Sequence, residues 1–178
     1  MKTSKLMKLV AVCSAALVCA VLGVASDARA DLSSDPNAIY KIVNVNSGKV
    51  LDVVRNSTQA TYRLHQWEYL GLASQHWRIG SVGTSLPYIM NVNSGMYLEP
   101  AARNNGAKIW QMYFSETPQQ RWLIVYANGF GPPYRIKNSL TYKDIDVEHN
   151  GMGNGDLIHQ WDTVEGVQSQ LWHIVRVN

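Results

Sequence analysis

Hydrophobic and polar residues alternate along most of this chain in short runs. Residues 41–45 (Lys-Ile-Val-Asn-Val) and 49–53 (Lys-Val-Leu-Asp-Val) show the period of two that is typical of β-strands with one buried face. Clusters of Asn, Ser and Gly separate such runs, as at residues 46–48 and 93–95, and predict tight turns. Beyond residue 30 no window keeps the period of a helix. The pattern predicts an all-β protein.

The strand-like runs recur as three units. Residues 40–44 (Tyr-Lys-Ile-Val-Asn) match residues 134–138, and residues 44–48 (Asn-Val-Asn-Ser-Gly) recur letter for letter at 91–95. Each unit ends with a Gln-x-Trp triplet, and the triplets stand at residues 75–77, 120–122 and 170–172. About four short strands per unit predict about twelve strands with pseudo-threefold symmetry.

The repeats predict one domain with a barrel-like core. We place the repeats at about 40–87, 88–133 and 134–178. A propeller also suits repeats of about this length, but three blades would close poorly around their axis. A barrel-like arrangement is therefore preferred.

The first 30 residues differ from the rest. Three lysines precede an apolar run at residues 9–25, and Ala28-Arg29-Ala30 has the small-residue pattern that signal peptidase recognises. We predict a signal peptide over residues 1–30, cleaved between Ala30 and Asp31, then a short polar leader to residue 39. An uncleaved membrane anchor is the alternative, because the apolar run approaches the length of a short span. Cleavage is favoured, which predicts a secreted protein without stable membrane insertion.

Removal of the signal peptide changes the charge. The whole chain has a formal net charge of +3 and a pI of about 8.9. Four of its 16 basic residues and one of its 13 acidic residues lie in residues 1–30, which leaves 12 of each. A net charge of zero argues against a nucleic-acid partner or an anionic membrane surface.

Several kinds of reactive site are excluded by the sequence. Both cysteines, Cys13 and Cys19, lie in the apolar run, so the mature chain has no disulfide, cysteine nucleophile or cysteine-ligated metal. The five histidines lack metal-ligand spacing. Hydrolase, zinc-protease, phosphate-loop and calcium-loop motifs are missing from the sequence. We therefore predict no catalytic residue, no metal and no cofactor.

Three Gln-x-Trp triplets in register resemble those of the ricin-type (ricin B-like) β-trefoil lectin domain. The resemblance extends from Tyr40 to Val177. It implies a six-stranded barrel capped by three hairpins, with one shallow sugar site possible in each repeat. The family's usual pocket combines an Asp, a Gln or His, an aromatic platform and a polar residue just before Gln-x-Trp.

The resemblance implies complete sets of sugar-binding residues in two repeats. In the first repeat they are Asp52, His65, Trp67, Ser74 and Gln75. In the third repeat they are Asp146, His159, Trp161, Ser169 and Gln170. The family often has Asn where this chain has Ser74 and Ser169. This difference would weaken one hydrogen bond to the sugar or replace it by a water bridge.

These side chains suit a sugar on chemical grounds alone. A flat indole can cover the apolar C–H face, a carboxylate can accept hydrogen bonds from two adjacent hydroxyls, and an imidazole can donate or accept beside it. For Asp52 and Asp146 a turn-stabilising role is the alternative. For Gln75 and Gln170 hydrogen bonding to the backbone is favoured over direct ligand contact. The tryptophans of the triplets (Trp77, Trp122 and Trp172) are predicted core residues.

The second repeat departs from this pattern. Glu99 replaces the aspartate, Trp110 stands at the histidine position, and Met112 occupies the platform position. The intervening loop is also two residues shorter. Trp110 or Tyr113 could supply a different platform, but a structural role is preferred. We therefore predict two sugar sites, and interpret the Leu/Ile-His-Gln-Trp segments of the first and third repeats as functional.

The predicted function is a secreted, non-catalytic lectin that binds glycans or a polysaccharide, galactose-type or xylan-like, as a monomer. One alternative is a trefoil that binds protein, as an inhibitor or adhesin. Another is the accessory binding subunit of a polysaccharide hydrolase, although a freestanding lectin is preferred. A third is an enzyme that uses carboxylate pairs such as Asp52 with Glu68, but nothing in the sequence places such a pair across a cleft.

Overall fold

The computed structural model describes residues 32, 33, 35–80 and 86–178. The predicted signal peptide and its cleavage position lie outside these residues. The described part forms twelve β-strands, with four in each repeat. In the first repeat they are β1 (Tyr40–Asn44), β2 (Val50–Val53), β3 (Leu64–Trp67) and β4 (Trp77–Gly80). In the second they are β5 (Tyr88–Asn91), β6 (Tyr97–Pro100), β7 (Ile109–Met112) and β8 (Trp122–Tyr126). In the third they are β9 (Tyr134–Asn138), β10 (Asp144–Val147), β11 (Ile158–Trp161) and β12 (Trp172–Arg176).

Short 3-10 turns stand at two kinds of position in the repeats. Three of them lead into the triplet tryptophans, at Ala73–Gln75, Pro118–Gln120 and Gln168–Gln170. Two others follow the second strand of a repeat, at Val54–Asn56 and Glu148–Asn150. The described residues contain no helix long and apolar enough to cross a membrane.

The strands form a barrel with a cap of hairpins, as predicted. The outer strands of neighbouring repeats pair as β4 with β5, β8 with β9 and β12 with β1. Within a repeat, β1 pairs with β4, and β9 pairs with β12. The inner strands pair within their own repeat as the hairpins β2–β3, β6–β7 and β10–β11. The predicted β-trefoil with pseudo-threefold symmetry is confirmed.

The tryptophans of the Gln-x-Trp triplets lie in the centre of the core. Trp77, Trp122 and Trp172 have no exposed surface. Each donates its indole N–H to a backbone carbonyl of its own repeat, over 3.1 Å to Leu51, 3.2 Å to Leu98 and 3.0 Å to Ile145. A buried indole needs such an acceptor, because an unpaired N–H would lose its water without compensation. The three tryptophans thus combine apolar burial with polar anchoring.

The glutamines of the same triplets hold the loop that follows the third strand. Gln75, Gln120 and Gln170 are at most 1% exposed. Their Nε2 atoms donate to the carbonyls of Glu68, Tyr113 and Asp162, and their Oε1 atoms accept from the amides of Leu70, Ser115 and Val164. The sequence analysis favours backbone hydrogen bonding for the triplet glutamines, and this geometry agrees with it.

A second set of glutamines joins neighbouring repeats. Gln66, Gln111 and Gln160 are completely buried. Gln66 donates to the carbonyls of Gly151 and Gly153 in the third repeat, Gln111 to Ser57 and Gln59 in the first, and Gln160 to Ala102 and Asn104 in the second. Each repeat is therefore tied to another in a closed cycle. The interpretation of the whole Leu/Ile-His-Gln-Trp segment as functional is wrong for its glutamine, which is architectural.

Three asparagines reinforce the same cycle at the ends of β1, β5 and β9. Asn44, Asn91 and Asn138 are at most 1% exposed. Their Nδ2 atoms donate to carbonyls beside the triplet of another repeat, those of Ser169, Ser74 and Gln119. Each Oδ1 also accepts from amides two and three residues ahead, which closes the turn. The repeated Asn of the turn motif is thus a contact between repeats.

Removal of one inter-repeat glutamine should destabilise the fold. We expect Gln111→Ala to lower the free energy of unfolding by about 2 kcal/mol, because two carbonyls lose their donor and a buried side chain is truncated. Urea denaturation followed by circular dichroism measures the change. Gln168→Ala is the control, since Gln168 is exposed, and it should change the free energy by less than about 0.5 kcal/mol. Equal stability of the two variants would contradict the assigned role.

Candidate functional site

The pairing of β2 with β3 brings the predicted site residues of the first repeat onto one face. Asp52 lies directly opposite His65, and Val50 lies opposite Trp67. Residues two apart on a strand share a face, so the aspartate, histidine and tryptophan all lie on the outer face. The intervening Leu51 and Leu64 point into the core and have no exposed surface. Strand alternation therefore sorts this hairpin into a buried side and a chemically active side.

The same arrangement recurs in the third repeat with the same dimensions. In the first repeat His65 Nε2 lies 3.5 Å from Asp52 Oδ2, and the His65 and Trp67 ring centroids are 5.3 Å apart. In the third repeat the corresponding values are 3.5 Å between His159 and Asp146 and 5.3 Å between His159 and Trp161. Each tryptophan thus stands beside a histidine that faces a carboxylate.

Each of these constellations lines a cleft. The cleft of the first repeat has a volume of about 430 Å³, and that of the third about 590 Å³. These values fall in the range typical of small-ligand sites. The polar groups form the inner part, since Asp52 and Asp146 are 4% and 6% exposed, whereas Trp161 is 38% exposed and Trp67 is half-buried. The platforms therefore remain accessible from solvent.

Two polar atoms of the first site have no partner within the protein. Asp52 Oδ1 and His65 Nε2 are buried and form no hydrogen bond. Buried polar atoms are normally paired, so two orphans at one cleft favour a ligand that supplies hydroxyl groups. In the third site Asp146 Oδ1 accepts from Ser169 Oγ over 2.6 Å. The two carboxylates are thus not equally free.

The residues that precede each triplet lie behind the site. Ser74, Gln75, Ser169 and Gln170 are at most 1% exposed, and Gln170 lines the inner end of the third cleft. Gln75 donates to Asp52 Oδ2 over 3.2 Å, and Gln170 donates to Asp146 Oδ2 over 3.2 Å. That these four residues contact the sugar stays a prediction. Gln75, Ser169 and Gln170 hydrogen-bond the site carboxylates, whereas Ser74 hydrogen-bonds Asn56.

Sequence reasoning missed an asparagine in each site. Asn56 and Asn150 lie four residues after the aspartate, end the 3-10 turn and line the clefts. The hydroxyl oxygen of the serine before the triplet lies 2.7 Å from the Oδ1 atom of each asparagine. Both have positive φ, 52° and 54°, a conformation that asparagine tolerates better than most residues. The available signal was their recurrence at the same spacing, with Arg103 at that position in the second repeat.

A family profile and solved structures resemble this chain. The profile described as "Ricin-type beta-trefoil lectin domain-like" matches residues 29–112 and 73–161, which together cover most of the sequence. The chain belongs to this ricin-type β-trefoil lectin-like family. No curated protein sequence matches the chain.

Solved structures of several kinds share the fold of this ricin-type domain. The designed threefold-symmetric protein ThreeFoil matches with a TM-score of 0.74 and 28% identity, over 78% of this chain and 99% of its own. An exo-β-1,3-galactanase from Clostridium thermocellum matches with a TM-score of 0.74 and 32% identity, over 79% of this chain but only 30% of the enzyme. A ricin B-like lectin from Macrolepiota procera, in complex with lactose, matches with a TM-score of 0.70 and 22% identity, over 82% and 100%.

A glycine from another repeat backs each platform of the ricin-type domain. A Cβ atom at Gly155 would lie 3.6 Å from Cζ3 of Trp67, and one at Gly106 would lie 3.7 Å from Cζ3 of Trp161. The amides of these glycines donate to the carbonyls of Gln66 and Gln160, and Thr61 forms the equivalent bond to Gln111. Thr61 thus takes the place of the glycine, and the residue at the platform position after Gln111 is Met112 instead of a tryptophan. Each platform is therefore completed by a loop from a different repeat.

The second repeat uses its corresponding residues for internal contacts. Glu99 accepts from the Trp110 indole over 3.2 Å and from Gln120 over 2.9 Å, so both of its carboxylate oxygens are engaged. Lys108 lies over the Trp110 ring, 5.1 Å from its centroid. The arrangement differs from those of the other repeats and supports a structural role here. Among the described residues no group of three or more His, Cys, Asp or Glu side chains could hold a metal ion.

A larger side chain at Gly155 should disturb Trp67. We expect Gly155→Leu to shift the Trp67 indole N–H resonance in ¹H–¹⁵N spectra, because the added atoms would grow toward the ring from a Cβ already in contact with it. The Trp161 resonance should stay in place. The matched control is Gly95→Leu, at a similar φ of +70° but with nothing within 4 Å.

Both variants carry comparable backbone strain of about 1 kcal/mol, since a side chain is added at positive φ. A loss of stability alone therefore does not distinguish them, but the indole shift does. An unmoved Trp67 resonance in a folded Gly155→Leu protein would contradict the contact.

Proposed function

We propose that this chain is a secreted, non-catalytic lectin that binds carbohydrate at two sites, in the first and third repeats. The single observation that carries the proposal is the repeated constellation of aspartate, histidine and tryptophan. Its His–Asp distance is 3.5 Å and its ring separation is 5.3 Å in both repeats. Secretion is inferred from the signal-peptide pattern of residues 1–30.

Each side chain has a distinct task in the proposed complex. The indole of Trp67 or Trp161 stacks on the apolar C–H face of one sugar ring. The carboxylate of Asp52 or Asp146 accepts hydrogen bonds from hydroxyls on adjacent carbons, which are charge-assisted and therefore stronger than neutral ones. His65 or His159 donates to, or accepts from, a further hydroxyl. The buried glutamine of each site holds the carboxylate in position for this contact, and Ser169 assists it in the third repeat.

The proposed ligand is a galactose-type glycan or a xylan-like polysaccharide. The Macrolepiota procera lectin, which shares the fold, is in complex with lactose, a galactose-containing sugar. Two shallow sites on one domain also suit a repetitive polymer. When both sites engage the same chain, the second contact becomes intramolecular and the overall affinity rises without any new contact. The protein is proposed to act as a monomer.

An accessory role for a polysaccharide hydrolase is the second candidate. The Clostridium thermocellum exo-β-1,3-galactanase matches this chain over only 30% of its length, so its matching part is one segment of a larger enzyme. A domain of this kind would hold an enzyme on its polymeric substrate. A protein-binding trefoil is the remaining alternative, in which the repeats act as a scaffold.

Neutralising the carboxylates tests the site assignment. Calorimetric titration of the wild-type protein with lactose and with xylotriose should show two sites for one of these sugars. We expect Asp52→Asn and Asp146→Asn each to leave one site, and the double variant to lose binding by roughly 30-fold or more, since a charge-assisted hydrogen bond contributes about 2 kcal/mol. Glu99→Gln is the matched control and should leave two sites.

Full binding by the double variant would show that the sugar is held elsewhere. Failure of the wild-type protein to bind any member of a glycan array would favour the protein-binding alternative. Release of reducing ends from a bound polysaccharide would refute the non-catalytic proposal.

A further inference from the structure

The two sites share their inner residues but differ at their rims. The 3-10 turn after the aspartate carries Val54 and Arg55 in the first repeat, and Glu148 and His149 at the same positions in the third. The cleft of the first repeat is therefore bordered by a guanidinium group, and that of the third by a carboxylate. The same aspartate, histidine and tryptophan thus stand beside a basic side chain in the first repeat and beside an acidic one in the third.

A second cleft adjoins the first site. This arginine cleft has a volume of about 320 Å³ and is lined by Val54, Arg55, Thr61, Tyr62, Arg63 and Leu157. Val54 and Arg55 also line the first site, and Leu157 forms a β-bridge with His65. The volume lies at the lower end of the range for ligand pockets. A ligand that occupies the first site can therefore extend into the arginine cleft without leaving the surface.

The arginine cleft has unused capacity to bind an anion. Arg63 forms an ion pair with Glu148 through Nη2, but its buried Nε has no hydrogen-bond partner. Arg55 is exposed, and no described residue forms an ion pair with it. Two guanidinium groups face one carboxylate, so the cleft is positive overall. Arginine is well suited to carboxylate recognition because its planar group donates two parallel hydrogen bonds.

The third site lacks the equivalent arrangement. His149 and Leu157 stand at the positions that correspond to Arg55 and Arg63. Lys108 forms the β-bridge with His159, but its ammonium group lies over the Trp110 ring. The charged group at this rim is the carboxylate of Glu148, which is already paired with Arg63. An anionic group is therefore favoured beside the first site and disfavoured beside the third.

We infer that the first site selects an acidic saccharide, with one sugar ring stacked on Trp67 and a neighbouring carboxylate-bearing sugar unit in the arginine cleft. The inference rests on the proposed carbohydrate-binding function and names the ligand class of one of its sites. A uronic acid branch on xylan and a terminal sialic acid on a galactoside both present this chemistry. The third site accepts the neutral parts of the same glycans, so the two sites divide the recognition between them.

The test compares each acidic sugar with its own methyl ester, which differs only by the charge. The probes are glucuronosyl-xylotriose and sialyllactose, each as free acid and as ester, with lactose and xylotriose as neutral references. In the Asp146→Asn background, where the first site alone is active, the acid should bind roughly tenfold more tightly than its ester for at least one pair. In the Asp52→Asn background, where the third site alone is active, the ratio of the affinity for the acid to that for its ester should be one or less.

Charge variants in the Asp146→Asn background identify the groups responsible. Arg55→Gln and Arg63→Gln should each lower the acid-to-ester ratio, whereas Glu148→Gln should raise it, because the competing carboxylate is removed. Arg103→Gln is the control, since Arg103 is exposed in a loop of the second repeat, and it should leave the ratio unchanged. The ratio should also fall as the salt concentration is raised.

The outcomes separate this inference from the proposed function. Binding of neutral and acidic sugars with equal affinity at the first site overturns the inference and leaves the lectin proposal intact. A preference for the acid that survives both arginine variants also overturns it, because the charge would then be recognised elsewhere. If no probe binds to any of the proteins, both the lectin proposal and the inference fail.

Discussion

This fold depends on hydrogen bonds that side chains of one repeat form with the backbone carbonyls of another. Each unit of four short strands is too small to bury its own apolar face, so it must pack against the others. Gln66, Gln111 and Gln160 supply the polar part of that packing, since each is fully buried and donates to two carbonyls of another repeat. The asparagines at the ends of β1, β5 and β9 act in the same direction. A buried amide is tolerated only when it is hydrogen-bonded, so these contacts specify one relative placement of the repeats.

Once the interior is specified in this way, the outer face of each repeat is free to vary. Lys41, Tyr88 and Arg135 occupy the same position in the three first strands, yet their surroundings differ. The ammonium of Lys41 lies 4.3 Å from the Tyr69 ring centroid, Tyr88 packs 5.0 Å from the Tyr97 ring, and Arg135 forms a 3.1 Å ion pair with Asp144. The symmetry of the apolar core does not require symmetry on the other face of each strand, because alternate strand residues face opposite ways. The fold can therefore keep two constellations of aspartate, histidine and tryptophan, whereas the corresponding residues of the second repeat form an internal contact.

The proposed sites are products of the interface as much as of the hairpins. The platform of the first repeat packs on Gly155 of the third, and that of the third repeat packs on Gly106 of the second. The same loops receive the hydrogen bonds of the inter-repeat glutamines. The assembly that stabilises the protein therefore also positions its aromatic surfaces. The second repeat has neither the tryptophan nor a supporting glycine. Met112 stands at the platform position, and Thr61 of the first repeat stands where the glycine would be.

The sequence by itself determined the fold class and the three repeats, and the family resemblance grouped the candidate site residues of the first and third repeats. Period-two alternation and repeat spacing are local properties, whereas the placement of Asp52 directly opposite His65 depends on the register of β2 with β3. Tertiary structure decided the rest. Gln66, Ser74 and Gln75 are buried, and Asn56 has a left-handed backbone conformation. Trp67 contacts Gly155. These features depend on residues that are far apart in the chain. The position of Arg55 and Arg63 beside the first site was also decided by the tertiary structure. A cleft is bounded by several elements, and no single stretch of sequence shows which elements meet there.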